Sequence, residues 1–337
     1  MSARAFPARW PIRAGRTLAA YPLLSVGLML IVVFALAQPR FLTGATLINV
    51  LIQASVLLIA ATGMTYVVLT AGIDLSVGAL MFLAVAAISA GLTAGLPPVL
   101  LVLAIPVLTL LLGTFNGAVV AKARVPALIV TLAMLQVFRG VGGHLTEQRS
   151  LVLSADVRFL GYGDIAGVPR PVLVAAVVVA VGAYVLRRTR FGRQVQALGS
   201  NPSAAKNAGL NVGRVEIAVY AVSGLCAGIA ALVQLGRLGA VQPTLDIGFE
   251  LTVIAAVVLG GASLSGGRGG VGGTALGALI LVIVENGLVL SGASPYIFDI
   301  VRGAVLLAAV ITSGLPDRIL RSVRPRGEVM SPDPTEI

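Results

Sequence analysis

Apolar runs of about twenty residues recur along the chain, separated by short stretches rich in Gly, Pro and charged residues. A helix of that length matches the roughly 30 Å hydrocarbon core of a bilayer. The pattern predicts ten spans, near residues 18–38, 46–70, 73–94, 98–121, 125–143, 170–187, 214–236, 250–264, 270–291 and 296–314. The second and third are almost fused, and the eighth is short. The expected fold class is therefore an all-α polytopic membrane protein. The first run, Leu18 to Ala37, follows four arginines and ends in Ala35-Leu36-Ala37, which resembles a signal-peptidase site. Signal h-regions are shorter than this run, so it is read as a span.

The cations orient the spans. Arg4, Arg9, Arg13, Arg16, Lys122, Arg124, the cluster from Arg187 to Arg214, Arg268 and the arginines from Arg318 to Arg326 fall on one side. They make up most of the 24 Lys and Arg, and by the positive-inside rule they place both termini in the cytoplasm. The expected organisation is a basic N-terminus over 1–17, one membrane domain over 18–316 with a cytoplasmic loop near 188–213, and a tail over 317–337. Composition agrees: 58% hydrophobic and 11% charged residues do not suit a soluble domain. The net charge of +11 faces anionic lipid, so it requires no nucleic acid.

Several chemistries are excluded. The chain has no GxxxxGK[ST] phosphate loop, and its literal GxGxxG at Gly267–Gly272 lies between spans rather than in a βαβ unit. The single histidine, His144, sits at a span end, remote from any Ser-His-Asp arrangement, and no residues carry metal-ligand spacing. The chain is expected to be neither an enzyme nor a holder of a cofactor or metal. The lone cysteine, Cys226, reads as a small packing residue. Gly113/Gly117, Gly224/Gly228 and Gly273/Gly277 have the spacing that lets membrane helices approach closely.

Polar side chains inside spans are costly and so are candidates for a translocation path. They include Asp74, Ser76, Gln53, Asn116, Gln136, Glu285 and Asn286, with Asn49, Thr62, Thr65, Thr131, Gln234 and Thr252 as further neutral groups. The alternative for each is interhelical glue. Glu250 suits the N-terminal dipole of the eighth span, and Asp299 and Arg302, three apart, can pair. Asp74 lies between Gly72 and Gly78 in "VVLTAGIDLSVGAL", echoed by "VVLGGASLSGGRGG" at 257–270. The echo predicts a helix break at 72–78 that Asp74 or Ser76 pins by accepting backbone N–H groups. The outer segment from Gly143 to Arg170 reads equally as a lid or a docking surface. In the cytoplasmic loop, Asn201 can cap a helix opened by Pro202 and ended by Gly209. So short a helix persists only by packing, on its own bundle or on a partner.

"GIDLSVG" at 72–78, "GSNPSAAKNAGLNV" at 199–212 and "VLGGASLSGGRGGVGGTALGA" at 258–278, with "SPYIF" at 294–298, resemble the permease subunits of ribose-type ABC importers for simple sugars. The resemblance implies an ABC permease fold with a coupling helix between spans six and seven. It implies three partners: a separate ABC ATPase, an extracytoplasmic sugar-binding protein and a second permease copy in a bacterial inner membrane. By the same resemblance Gly199, Asn201, Pro202, Ala204, Ala205, Lys206, Asn207 and Gly209 belong to the loop that docks on the ATPase. The substrate it implies is ribose or a similar monosaccharide. The rival from a different class is a stand-alone ion-coupled transporter, with Asp74 or Glu285 at the ion site.

Overall fold

In the computed structural model the described residues are 22–147, 151–152, 157–241, 248–294 and 296–307. The expected basic N-terminus and charged tail lie outside them. The helices are α1 (Pro22–Ala37), α2 (Gly44–Leu69), α3 (Val77–Thr93), α4 (Pro98–Ala123), α5 (Ala127–Leu145), α6 (Arg170–Arg188), α7 (Arg190–Ser200), α8 (Pro202–Asn207), α9 (Val212–Leu238), α10 (Phe249–Leu259) and α11 (Val271–Leu290). Residues 296–307 form α12. Among the described residues six helices are long and apolar enough to cross a membrane: α2, α4, α5, α6, α9 and α11. Shorter apolar stretches lie in α1, α3 and α10.

Two expectations change. The eighth apolar run is not one continuous helix. Its helix, α10, ends at Leu259, about 16 Å long at 1.5 Å per residue, and the chain then turns through a glycine loop. The chain is also not purely helical. β1 (Leu151–Val152) pairs antiparallel with β4 (Ala240–Val241), and β2 (Asp164–Ile165) pairs with β3 (Val168–Pro169) in a small hairpin. Turn glycines at Gly163 and Gly167, both with positive φ, allow that hairpin.

The core is built on α9, which packs along α4 and α2, with α3, α10 and α11 completing the buried layer. Small residues set the approach. A Cβ on Gly224 would strike the Thr109 carbonyl, and one on Gly113 would meet the Gly224 backbone at 3.0 Å. Gly117 and Gly228 are equally closed off by Ile217 and by Thr109 and Pro106. Gly63 lies against Cys226 and Ser223, so the buried free cysteine is the packing residue expected of it. Gly273 and Gly277 bring α11 onto Ala256 and Gly260 at the end of α10. Such contacts replace the hydrophobic drive that lipid does not supply between helices.

Most neutral polar groups in the helices are satisfied within their own turns. Thr62 donates to Leu58, Thr65 to Ala61 and Thr131 to Ala127, each four residues back. These three are thus helix-bonded hydroxyls rather than free path donors. His144 is exposed at the end of α5, as a terminal polar group should be.

Inserting a side chain at the α4–α9 crossing overfills a contact between backbones, a change that typically costs about 1–3 kcal/mol. Gly224→Val is expected to lower the thermal midpoint of the purified chain in detergent by several degrees. Gly140→Ala, where nothing lies within 4 Å, is the control expected to leave it unchanged.

Candidate functional site

α2 ends in a Schellman cap: Ala71 donates to the Val68 carbonyl and Gly72 to that of Val67. Ala71 takes the left-handed conformation this requires, with φ 61°. α10 ends the same way. Gly261, φ 86°, donates to Val258, and Ala262 donates to Val257. The two echoing sequences therefore stop their helices with one geometry, residue for residue.

After the first cap the chain crosses a break to α3, and Asp74 organises it. Its Oδ1 accepts the Ser76 N–H at 3.0 Å and the Ser76 hydroxyl at 2.6 Å. Its Oδ2 accepts the Ser223 hydroxyl of α9 at 2.9 Å. Asn116 of α4 donates to Ser76 Oγ at 2.9 Å. The Ile73 carbonyl accepts Thr131 at 3.2 Å and Tyr220 at 3.4 Å. Asp74, Ser76, Asn116 and Ser223 are all buried. Ser76 stands at the N-cap of α3 without capping it. Asp74 bonds Ser76 itself, so the pin acts one residue before the helix.

The second break is a glycine hairpin. Ser263 donates to the Arg268 carbonyl, and Gly266 donates back to Ser263. Gly267 N–H reaches across to the free Leu69 carbonyl of α2 at 2.9 Å. Gly199 fits between them: a Cβ there would collide with the Leu69 carbonyl and with Gly267 N. The glycine hairpin, the start of the 199–212 motif and the end of α2, just ahead of the 72–78 motif, thus meet at one backbone junction.

α8 extends from this junction. Asn201 caps it by accepting the Ala204 N–H at 3.0 Å, Pro202 opens it, and Gly209 follows with φ 83°. The loop residues divide into two faces. Asn201, Pro202, Ala204, Lys206, Asn207 and Gly209 are exposed, whereas Gly199 and Ala205 are buried. Sequence reasoning missed α7. Thr189 caps it by accepting the Gly192 N–H, and Gly192, Val195, Leu198 and Gly199 form its buried face. Its signal, a threonine cap before an amphipathic stretch, was present in the sequence. Phe191 of α7 stacks on Tyr66 of α2 with centroids 5.9 Å apart. A groove of about 780 Å³ runs between α7 and α8, lined by Arg190, Arg193 and Arg214 among others.

The remaining candidates lie elsewhere. Gln53 of α2 and Asn286 of α11 exchange amide hydrogen bonds at 3.1 and 3.3 Å. With Glu285 they sit toward the end of the bundle opposite α8, apart from the Asp74 cluster. Glu250 is buried in the first turn of α10, and Arg302 pairs with Asp299 at 3.5 Å. Gln136 belongs to neither group: it is exposed on α5 among Leu132, Val137 and Val141. Among the described residues no cluster of His, Cys, Asp and Glu could hold a metal ion.

The Asp74 geometry makes a prediction about isosteres. Asp74→Asn keeps an acceptor for Ser76 and a polar partner for Ser223, whereas Asp74→Leu orphans both buried hydroxyls at about 1–3 kcal/mol each. The Asn variant should retain nearly wild-type thermal stability in detergent, and the Leu variant should lose much of it. Equal losses would mean that charge, not hydrogen bonding, matters here.

Comparison with known proteins agrees with the motifs. A family model described as "Branched-chain amino acid transport system / permease component" matches residues 46–310. The ribose import permease protein RbsC of Escherichia coli K12 is 43% identical over 84% of this chain and 90% of that protein. RbsC of Bacillus subtilis 168 is 37% identical over 84% and 89%. The L-arabinose transport system permease protein AraH of E. coli K12 is 39% identical over 62% of this chain and 64% of that protein. No solved structure matches the chain. The chain belongs to this permease family of ABC importers, as a multi-pass membrane subunit that is not itself catalytic.

Proposed function

We propose that the chain is the membrane subunit of an ATP-driven importer of a monosaccharide, ribose or a close relative. Ten spans place both termini in the cytoplasm of a bacterial inner membrane. An extracytoplasmic binding protein delivers the sugar, and a separate ATPase docks on α8. The observation that carries this reading is the junction at Gly199. The residue leading into α8 is wedged between the end of α2 and the glycine hairpin ahead of α11, so a partner bound to α8 acts on the bundle without an intervening flexible linker.

Three further features support it. The arginine-lined groove beside α8 suits an acidic partner surface. The RbsC proteins of E. coli and B. subtilis, 43% and 37% identical to this chain, bear the name of ribose import permeases. The exposed amide of Gln136, midway along an apolar face of α5, would be costly against lipid. A second copy of the permease covering that face removes the cost, which favours a dimer.

The two faces of the loop sharpen the test. The outward residues are the docking face; Gly199 and Ala205 support it from within. Ala204→Glu should leave membrane insertion and thermal stability intact but reduce co-purification of the ATPase and ATP-driven uptake at least about tenfold. A variant that still binds the ATPase and transports normally would remove α8 from the coupling role. Uptake by the complex in liposomes, measured for D-ribose, L-arabinose, D-xylose and D-galactose, identifies the sugar. Gradient-driven uptake by the chain alone would overturn the importer reading in favour of an ion-coupled carrier.

A further inference from the structure

Two cavities lie in series at the end of the bundle opposite α8. The outer one, about 470 Å³, is bounded by Asn49 of α2, by the loop at Gly161–Gly163 and by Pro169 and Pro171. The inner one, about 160 Å³, lies between α2, α9, α10, α11 and α12. Gln53 and Arg237 line both, and so stand between them. The outer segment that reads in sequence as a lid or a docking surface is tied down here. Gly161 packs on the α9 backbone at Val233 and Gly236, and Arg158 Nε donates to the Gly236 carbonyl at 3.2 Å.

The inner cavity is polar where its surroundings are not. Gln234, Thr252, Glu285 and Arg302 line it together with Gln53 and Arg237. Its lining carries Arg237, Arg302 and Glu285, and Asp299, just outside the lining, pairs with Arg302 at 3.5 Å, so these four formal charges sum to zero. A balanced site does not select an anion or a cation. It presents donors and acceptors side by side, the arrangement a polyhydroxyl molecule needs, because each hydroxyl both donates and accepts.

Two of the lining groups are incompletely bonded. Gln234 Oε1, on a side chain only 7% exposed, is buried with no hydrogen-bond partner among the described residues. Arg302 Nε is buried and unpartnered in the same sense, although Nη1 of that residue donates to the Gly248 carbonyl at 3.3 Å. Leaving a buried acceptor unmade costs about 1–3 kcal/mol, so such groups in a polar cavity mark a place for water or ligand. Gln53, by contrast, is held rigidly by Asn286 and forms a preset wall. Arg302 is likewise fixed, with its guanidinium over the Phe298 ring at 4.7 Å.

We infer that the inner cavity is a binding site for one neutral monosaccharide at the extracytoplasmic mouth, with Gln234 and Arg302 supplying the acceptor and donor that its hydroxyls complete. This rests on the importer reading above, and it assigns sugar selection to residues other than Asp74, which lies in neither cavity. The site is small and only partly bonded, so it holds sugar weakly, as a passage must in order to release it onward.

The test uses the permease–ATPase complex with its binding protein in liposomes, and the sugar from the four-member panel that the wild type imports fastest. Gln234→Leu removes the acceptor at similar volume, and Thr252→Val removes a lining hydroxyl without changing shape. Uptake is expected to fall at least about fivefold in Gln234→Leu and about twofold in Thr252→Val. The preference among the four sugars should shift, while ATP hydrolysis stimulated by the loaded binding protein stays at the wild-type rate. Unchanged uptake and preference in both variants would overturn the site, as would a loss of ATP hydrolysis in step with uptake, which marks a structural role. Should the wild type import none of the four sugars while ATP hydrolysis still responds to its binding protein, the monosaccharide reading itself falls.

Discussion

Hydrocarbon offers no hydrogen bonds, so a chain that stops being helical inside a membrane must find partners for its freed backbone groups within the protein. This protein interrupts its helices twice in its buried layer, after Leu69 and after Leu259. Each interruption begins with the same cap, and one backbone hydrogen bond ties the second to the first. The Leu69 carbonyl, released by the end of α2, is taken by the Gly267 N–H from the second break. Glycine at 199, 266 and 267 follows from that close approach, since backbones within bonding distance leave no space for side chains.

The same economy governs the side chains. Hydroxyls along α2, α4 and α5 return their protons to their own helices, and Asp74 gathers two serines that would otherwise be stranded. What remains chemically open is concentrated near the far end, where Gln234, Glu285 and Arg302 surround a cavity. The molecule therefore has a tightly bonded end that carries α8 and a more loosely bonded end that offers polar space.

Much of this was legible in the sequence because it depends on local signals. The apolar runs, the Asn201-Pro202 helix start, the Gly209 stop and the glycine spacing of α4 and α9 all act through near neighbours or through steric size. The break at Asp74 was legible from its glycines and from the echo at 257–270. Three things were not. The inward orientation of Gly199 and Ala205 depends on which residues the loop meets after folding. The Gln53–Asn286 pair joins residues far apart in sequence, and each amide alone looked like a path residue. The β1–β4 ladder joins two-residue strands too short to leave a periodic trace. α7 could have been found, but its cations drew attention to orientation rather than to its buried face.

The two caps match in backbone but differ in what holds the chain beyond them. The first leads into a carboxylate bonded to serines on two helices, a rigid side-chain clamp. The second leads into a hairpin closed by backbone bonds and by the Ser265 N–H donating to its neighbour Ser263 Oγ at 3.2 Å, with glycine at 266, 267, 269 and 270. Gly199 rests against both. α8 thus stands beside two unlike supports, one held by side chains on two helices and one built mainly of backbone, and the second leads directly into α11, the helix that carries Glu285.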